Sequence, residues 1–377
     1  MPVRVASQHP VLSDRALNRA LLARQMLLDR APIGPVAAIE RLACLQAQWA
    51  PSPYVALWSR LARFARDDLT RRIDQGEVLK ATLMRATLHL VSAREYPAYS
   101  LATLEGRFAA WRPPGAPALA ELAKIHARVR RFAATTPRTR AEIREHVASH
   151  LPPGAGEDER LRSWLVFAAV ATSGLIWEPA SARWEHRTLA RFVAPPPALR
   201  KAPRPEAAYE LVVRRHLAAF GPAAVADVAA WSSARVPPIR AALARMGDLV
   251  RFTDARGREL FDLADAPRPS ADVDAQPRFL ARFDAAILGH AAPERVRILP
   301  EPYRKSVIHA AEVEPTFLVD GMVAGSWRAR SAAREAIVEL RPFKPLLKAV
   351  RLALTDEGER LARFIAPESA RHGVKLA

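Results

Sequence analysis

A pattern of short amphipathic helices followed by two extended segments occurs three times between residues 1 and 265. A repeat of this kind constrains the architecture more than any single helix does, because each copy must fold into the same type of unit. Helices followed by a β-hairpin describe a winged helix, which is a frequent DNA-binding fold and also a plain protein scaffold. The three copies predict tandem winged-helix domains over residues 1–113, 114–195 and 196–265.

Local signals place individual helices and strands within the copies. Ser13 and Asp14 begin the first helix, and Pro35 begins a second helix that continues into Gln46. Thr139 and Glu142 have the spacing of a capping box, in which each side chain bonds the backbone N–H of the other residue. Further helices are predicted over residues 54–64, 158–173, 223–231 and 237–246. Strands are predicted over residues 78–91, 175–177, 183–185, 249–252 and 259–263.

A segment rich in Pro, Ala and Asp, residues 264–276, reads as a linker into a last unit over residues 277–377. Short apolar runs separated by Pro and Gly predict strands in this unit at residues 296–299, 306–309, 316–319 and 336–340. We expect these strands to form a small β-barrel, followed by a final helix over residues 355–364. The chain is therefore predicted to be an α+β protein with three tandem winged-helix domains and a C-terminal β-barrel.

The charge of the chain favours a polyanionic partner. Lys and Arg number 57 against 39 Asp and Glu, which leaves a net charge of +18 at pH 7. Many cations on one molecule attract phosphates and gain from counterion release. Codon bias in a GC-rich genome would raise the number of arginines, but it does not explain their excess over acidic residues. Nucleic acid is the expected partner.

Composition also excludes several classes of protein. A single cysteine, Cys44, rules out an internal disulfide and a cysteine zinc site. No apolar run approaches the roughly 18 residues of a membrane helix, and the N-terminus has no signal-peptide core, so we expect a cytoplasmic, nucleoid-associated protein that does not enter a membrane. No Gly-rich phosphate loop and no convincing metal-ligand spacing occur, so neither a metal nor another cofactor is expected.

Two glutamines, Gln46 and Gln48, flank one small residue at the end of the second predicted helix. A glutamine side chain has one carbonyl acceptor and an amide NH₂ donor, so a pair at this spacing can hold a water molecule in place. Such a pair is not a strong acid or base, which suits a reaction whose leaving group is already activated. The alternative is that both side chains only solvate the helix end.

Five segments spread over nearly the whole chain carry a resemblance to a known family: residues 46–48, 52–61, 84–91, 283–297 and 319–327. Their Gln-Ala-Gln, Met-Arg-Ala-Thr-Leu-His-Leu-Val and Val-Asp-Gly-Met-Val-Ala-Gly-Ser-Trp motifs resemble those of the AlkZ-type DNA glycosylases. These are winged-helix proteins with a C-terminal β-barrel that excise alkylated guanine and unhook interstrand crosslinks. In that family a Gln-x-Gln motif, or Gln-x-Asp in a sister branch, is catalytic, which implies catalytic roles for Gln46 and Gln48. The chain departs from the family where Ala285-Ala286 follows Asp284 in place of an Asn-containing apolar run.

The resemblance implies a monofunctional DNA glycosylase that acts on duplex DNA with alkylated or crosslinked guanine. An N7-alkylguanine is cationic and leaves readily because its departure cancels the charge, so the enzyme has only to place water at C1′ and to stabilise the sugar cation. The motif contains no amine nucleophile, which argues against a lyase. The alternative is a non-enzymatic winged-helix regulator or architectural DNA-binding protein. We expect a monomer, because one chain already carries several DNA-facing units.

Two groups of residues are candidates for DNA contact. Arg85, Thr87 and His89 would share one face of an alternating strand, facing a phosphate or the nucleotide cleft. The alternatives are a solvated strand face and, for His89, an interior histidine. The second group is a basic cluster near the predicted barrel, suited to phosphate or minor-groove contact or to plain surface charge. Its members are His290, Arg295, Arg297, Arg304 and Lys305.

Overall fold

The computed structural model describes residues 9–151, 158–185 and 190–377, and its mixture of helices and sheets confirms the predicted α+β class. One buried apolar cluster contains Leu21, Trp231 and Val323, so distant parts of the chain contribute to the same core. Within the described ranges no helix is both long enough and apolar enough to cross a membrane.

The first part of the chain contains six helices, and Ser13 caps the first of them by accepting a hydrogen bond from the Ala16 N–H. The helices are α1 (Asp14–Arg24), α2 (Pro35–Arg41), α3 (Ser52–Arg60), α4 (Arg66–Asp74), α5 (Tyr96–Ala102) and α6 (Leu104–Ala109). The strands are β1 (Val11–Leu12), β2 (Leu45–Gln46), β3 (Val78–Thr82) and β4 (Leu88–Ser92). The last three form a sheet in the order β2-β4-β3.

The prediction that the second helix continues into Gln46 is wrong. Helix α2 ends at Arg41, and the backbone then turns left-handed at Ala43 (φ 55°) and Cys44 (φ 75°). A right-handed helix does not continue through positive φ. Gln46 therefore lies on strand β2 at the edge of a sheet and not at a helix end.

The extended strands predicted over residues 78–91 form a hairpin, but the alternating strand expected to carry Arg85, Thr87 and His89 is interrupted. Strands β3 and β4 pair antiparallel, and a 3-10 turn, Met84–Ala86, connects them. Arg85 (φ 52°) and Ala86 (φ 56°) are left-handed, so the alternation of a strand does not apply to them. Arg85, Thr87 and His89 consequently do not share one strand face, and each needs its own description.

The next two segments, residues 114–195 and 196–265, contain the helices predicted over residues 158–173, 223–231 and 237–246, and also two helices that were not predicted, over residues 123–132 and 205–220. Their helices are α7 (Ala123–Phe132), α8 (Arg140–Ala148), α9 (Glu159–Thr172), α10 (Pro205–Phe220), α11 (Val225–Ser232) and α12 (Val236–Arg245). Their strands are β5 (Arg138–Thr139), β6 (Ile176–Trp177), β7 (Arg191–Val193), β8 (Leu249–Asp254) and β9 (Glu259–Leu263). The capping box of Thr139 and Glu142 is present. The strand predicted at residues 183–185 is wrong: β6 pairs with β7, and Trp184 packs edge-on against Tyr54.

The C-terminal unit is an open sheet, and the predicted closed barrel is not found. The sheet has the order β10-β13-β14-β15-β16, and its two outer strands do not pair with each other among the described residues. Its strands are β10 (Arg278–Leu280), β13 (Thr316–Val319), β14 (Met322–Ser331), β15 (Ala336–Pro342) and β16 (His372–Leu376). A separate hairpin pairs β11 (Ile308–His309) with β12 (Glu312–Val313). The helices are α13 (Ala285–Leu288), α14 (Arg304–Val307) and α15 (Lys348–Ile365).

Three expectations for this unit are corrected. The strand predicted at residues 296–299 is replaced by a 3-10 helix, Ala292–Arg297. The run at 306–309 is divided, because its first half belongs to α14 and only its second half forms a strand, β11. The predicted strands at 316–319 and 336–340 are confirmed. The final helix begins at Lys348, well before the predicted residue 355.

Two buried ion pairs join the first unit to later parts of the chain. Arg24 makes a bidentate ion pair with Asp262 of β9, in which Nη1 and Nη2 are 2.6 and 2.7 Å from the two carboxylate oxygens. Arg60 makes the same kind of contact with Asp284, which also caps α13, at 2.7 and 2.9 Å. All four side chains are fully buried, and removing one partner would leave an uncompensated buried charge. These pairs connect the first unit to strand β9 and to the start of α13.

Candidate active site

The two glutamines lie on an edge of the small sheet, and their carbonyl oxygens are both held. Gln46 pairs with His89 of β4 and is only 8% exposed. Its Oε1 accepts a hydrogen bond of 2.8 Å from Arg85 Nη2. Gln48 is exposed, and its Oε1 accepts a hydrogen bond of 3.1 Å from the Leu88 backbone N–H. Each oxygen keeps a second lone pair.

The pairing of the strands explains why Gln48 is fixed although it is exposed. The Ala47 N–H donates to Leu88 O at 2.7 Å, which continues the ladder one residue past β2. The Gln48 side chain then accepts from the Leu88 N–H in place of a backbone carbonyl. The amide NH₂ groups of both glutamines make no hydrogen bond within the described part of the chain, so they remain able to bind water or DNA.

Arg85 connects Gln46 to helix α11. Its left-handed backbone aims the side chain so that Nη1 donates to Trp231 O at 2.8 Å while Nη2 donates to Gln46. No carboxylate pairs with Arg85 among the described residues. Burial, and secondarily the charge of Arg295, lower the pKa of its guanidinium to about 10, so it stays charged at neutral pH. A half-buried cation without a counter-ion is favourable beside a phosphate.

Further cations continue from Arg85. Arg295 is half-buried, and its pKa is lowered by burial and then by the charge of Arg304. Arg295 makes no ion pair within the described ranges, and its Nε donates to His290 O at 3.4 Å. Arg304 is 3.5 Å from Glu301, and Lys305 is exposed on the same short helix. The structure therefore brings three predicted DNA-binding arginines into a series that leads away from the glutamine pair.

Comparison with known proteins assigns the chain to a family. A family model for AlkZ-like DNA glycosylases matches residues 39–364. The chain belongs to this family. Its sequence is 27% identical, over 339 residues, to a Streptomyces sahachiroi protein named "Interstrand DNA cross-link repair glycosylase", with 81% of this chain and 84% of the relative covered. The AlkZ-like assignment confirms the predicted enzyme class, a DNA glycosylase.

A solved structure agrees with the AlkZ-like fold. The chain is similar to the DNA glycosylase AlkZ of Streptomyces sahachiroi, with a TM-score of 0.76 and 24% identity. The likeness covers 97% of this chain and 100% of that chain. The similarity extends through the units that position Gln46, Arg85 and Arg295.

Four of the predicted DNA-binding residues of this AlkZ-like protein have structural contacts. Thr87 donates from Oγ1 to Met84 O at 3.0 Å, which closes the hairpin turn. His89 is buried, and burial lowers its pKa to about 3, so it is a neutral interior histidine. His290 and Arg297 are also buried, beside the carbonyl oxygens of Phe220 (3.0 Å) and Pro222 (2.7 Å). Direct DNA contact stays a prediction for these residues, and in this structure the side chains of His89, His290 and Arg297 lie in the interior.

The structure also adds contributors that sequence reasoning missed. The Leu88 N–H and the Trp231 carbonyl are backbone groups, so no residue type marks them. The indole of Trp49 is a further contributor, because Trp49 follows Gln48 directly and is 42% exposed. Among the described residues no group of three or more His, Cys, Asp or Glu side chains is placed to hold a metal ion.

Proposed function

We propose that this AlkZ-like glycosylase hydrolyses the N-glycosidic bond of N7-alkylguanine in duplex DNA, including guanines that are crosslinked to the opposite strand. The observation that carries the proposal is the glutamine pair, because both amide oxygens are oriented by hydrogen bonds, and Arg85, which holds one of them, makes no ion pair among the described residues. The net charge of +18 supports a nucleic-acid substrate. The crosslinked substrate is proposed by analogy with the name of the Streptomyces sahachiroi relative.

In the proposed reaction the bond between C1′ and N9 breaks, and its electron pair neutralises the cationic base. The oxygen of a water molecule forms the new bond to C1′, and the water releases one proton to solvent. The products are a neutral 7-alkylguanine and an abasic site. The free lone pairs of Gln46 and Gln48 hold the water and stabilise the positive charge that develops on the sugar.

Arg85 acts in this proposal as a positioning residue. It holds Gln46 through Oε1 and so limits the rotation of the amide. Arg295, Arg304 and Lys305 contact backbone phosphates. We further propose that the enzyme works as a cytoplasmic monomer without a cofactor. Its helix-and-hairpin units act as winged-helix domains over residues 1–113, 114–195 and 196–265, and the C-terminal unit follows over residues 277–377.

The test is single-turnover release of N7-methylguanine from a defined duplex by saturating enzyme. Gln46→Ala and Gln48→Ala should each slow release by on the order of a hundredfold, as removal of one oriented polar group does in other active sites. The double variant should lose much less than the product of the two effects, because both groups hold the same water. Gln75→Ala, at an exposed glutamine on α4's C-terminal end, is the control and should match wild type.

Circular dichroism and a duplex-binding titration on the same preparations separate chemistry from folding. Wild-type release rates in both single variants and in the double variant would overturn the proposed mechanism. Binding without any base release by the wild-type protein would overturn the proposed substrate.

A further inference from the structure

A pocket of about 470 Å³ begins one residue after the glutamine motif. Trp49 forms one wall, and the start of α3, strand β14 and the end of α15 complete the lining. Trp184 and Trp327 add two more indoles, while Arg282, Glu314 and Arg328 supply the charged groups. Such a mixture of aromatic walls and few polar groups is typical of a ligand site.

The three indoles differ in how firmly they are held. Trp327 is 2% exposed, and its Nε1 donates to Leu280 O at 2.9 Å. Trp184 packs edge-on against Tyr54, with ring centroids 5.5 Å apart. Trp49 stacks on no other ring among the described residues and is 42% exposed. The pocket therefore has two fixed aromatic walls and one large apolar face that lacks a partner.

The charged groups of the pocket favour a position next to the DNA backbone. Glu314 is already engaged, because His309 Nε2 is 3.0 Å and Arg282 Nη2 is 3.7 Å from its carboxylate. Arg328 is exposed on β14 and makes no ion pair within the described ranges. The net character of the lining is cationic, which suits a site next to a phosphate backbone.

We propose that this pocket receives an aromatic substituent on guanine N7 and that Trp49 stacks on it. The inference rests on the proposed function and names the substrate class of the same site. An N7 substituent projects into the major groove, away from the bond that is cut, so it needs its own space apart from the reacting sugar. Trp49 adjoins Gln48 in the chain, and an exposed indole gains by covering its face with another planar ring.

The test compares two lesions that differ by one ring, N7-methylguanine and N7-benzylguanine, in the same duplex. We measure the ratio of their release efficiencies (benzyl over methyl) under single-turnover conditions. Trp49→Ala should lower this ratio by on the order of tenfold, as expected for loss of one stacking partner. Trp49→Phe should restore most of it. Trp111→Ala is the matched control, because Trp111 is 69% exposed and does not line this pocket.

A second variant keeps the test decisive if Trp49→Ala is unstable. Ser331→Trp places bulk at the exposed rim of the pocket and should lower the same ratio. An unchanged ratio in the folded Trp49→Ala and Ser331→Trp proteins would overturn the assignment of the pocket. An equal loss for both lesions would show that Trp49 serves the common reaction and would also overturn it. If the wild-type protein releases neither base, the proposed function itself fails.

Discussion

The hydrogen bond between Arg85 and Gln46 predicts a specific kinetic signature. Arg85 Nη2 is 2.8 Å from Gln46 Oε1, and Nη1 is 2.8 Å from Trp231 O. A hydrogen bond from a charged donor contributes about 1.5–3 kcal/mol. Each 1.4 kcal/mol or so corresponds to a factor of about ten in rate. Losing the orientation of Gln46 should therefore slow base release by about ten- to a hundredfold.

Two substitutions separate the orienting role of Arg85 from its charge. Arg85→Lys keeps the charge, but an ammonium lacks the planar guanidinium geometry that donates to Gln46 Oε1 and Trp231 O at the same time. It should lower the saturating single-turnover rate with little change in the half-saturating enzyme concentration. Arg85→Met should lower the rate and also weaken DNA binding.

The assay is release of N7-methylguanine over a range of enzyme concentrations, which gives the saturating rate and the half-saturating concentration separately. Arg71→Lys is the control, because Arg71 is exposed on α4 and pairs only with Asp68 among the described residues. The positioning role of Arg85 is refuted if Arg85→Lys keeps the wild-type saturating rate and Arg85→Met changes only the half-saturating concentration. Arg85 would then be a phosphate contact, as the sequence predicted.

Two further predictions concern DNA binding and acid stability. Replacing Arg295 and Arg304 together by alanine should flatten the slope of log affinity against log salt by on the order of two units, and an unchanged slope would place the DNA surface elsewhere. Burial lowers the pKa of His89 to about 3 and the pKa values of His126 and His216 to about 4. Between roughly pH 6 and pH 4 the unfolded state therefore binds more protons than the folded state. Acid consequently lowers the free energy of unfolding in this range. The three histidines together give a slope of up to about 4 kcal/mol per pH unit there, and denaturant titrations showing no loss of stability in this range would contradict it.

Features of the fold that depend on neighbours three or four residues apart were predictable. The caps at Ser13, Thr139 and Asp158 follow from hydrogen bonds within one helical turn, and the structure has all three. The left-handed turns at Cys44 and Arg85 were missed, because neither residue type favours positive φ and the distant packing decides the backbone there.

The site was predictable in its residues and less so in its contacts. The glutamine pair was found, yet the group that holds Gln46 was expected on a strand facing DNA. Arg85 is held by the carbonyl of Trp231, which is 146 residues away in the chain. Arg297 looks like a surface cation in sequence, but its side chain is buried, and its Nη1 donates to Pro222 O in the interior. Charge alone does not distinguish an exposed arginine from one whose hydrogen-bond acceptors are supplied by a remote segment.

The buried pair of Arg60 and Asp284 has a consequence for how the protein is made. The two residues are 224 positions apart, and a ribosome adds about 5–20 residues per second. On the order of 10–45 s therefore pass between the synthesis of Arg60 and that of Asp284. Arg24 waits a similar time for Asp262, which is 238 positions later. A desolvated arginine without its carboxylate is strongly unfavourable, so we expect Arg24 and Arg60 to stay in water during this interval. The segment between these arginines, which contains the glutamine pair, can then complete its packing only after Asp284 has been made.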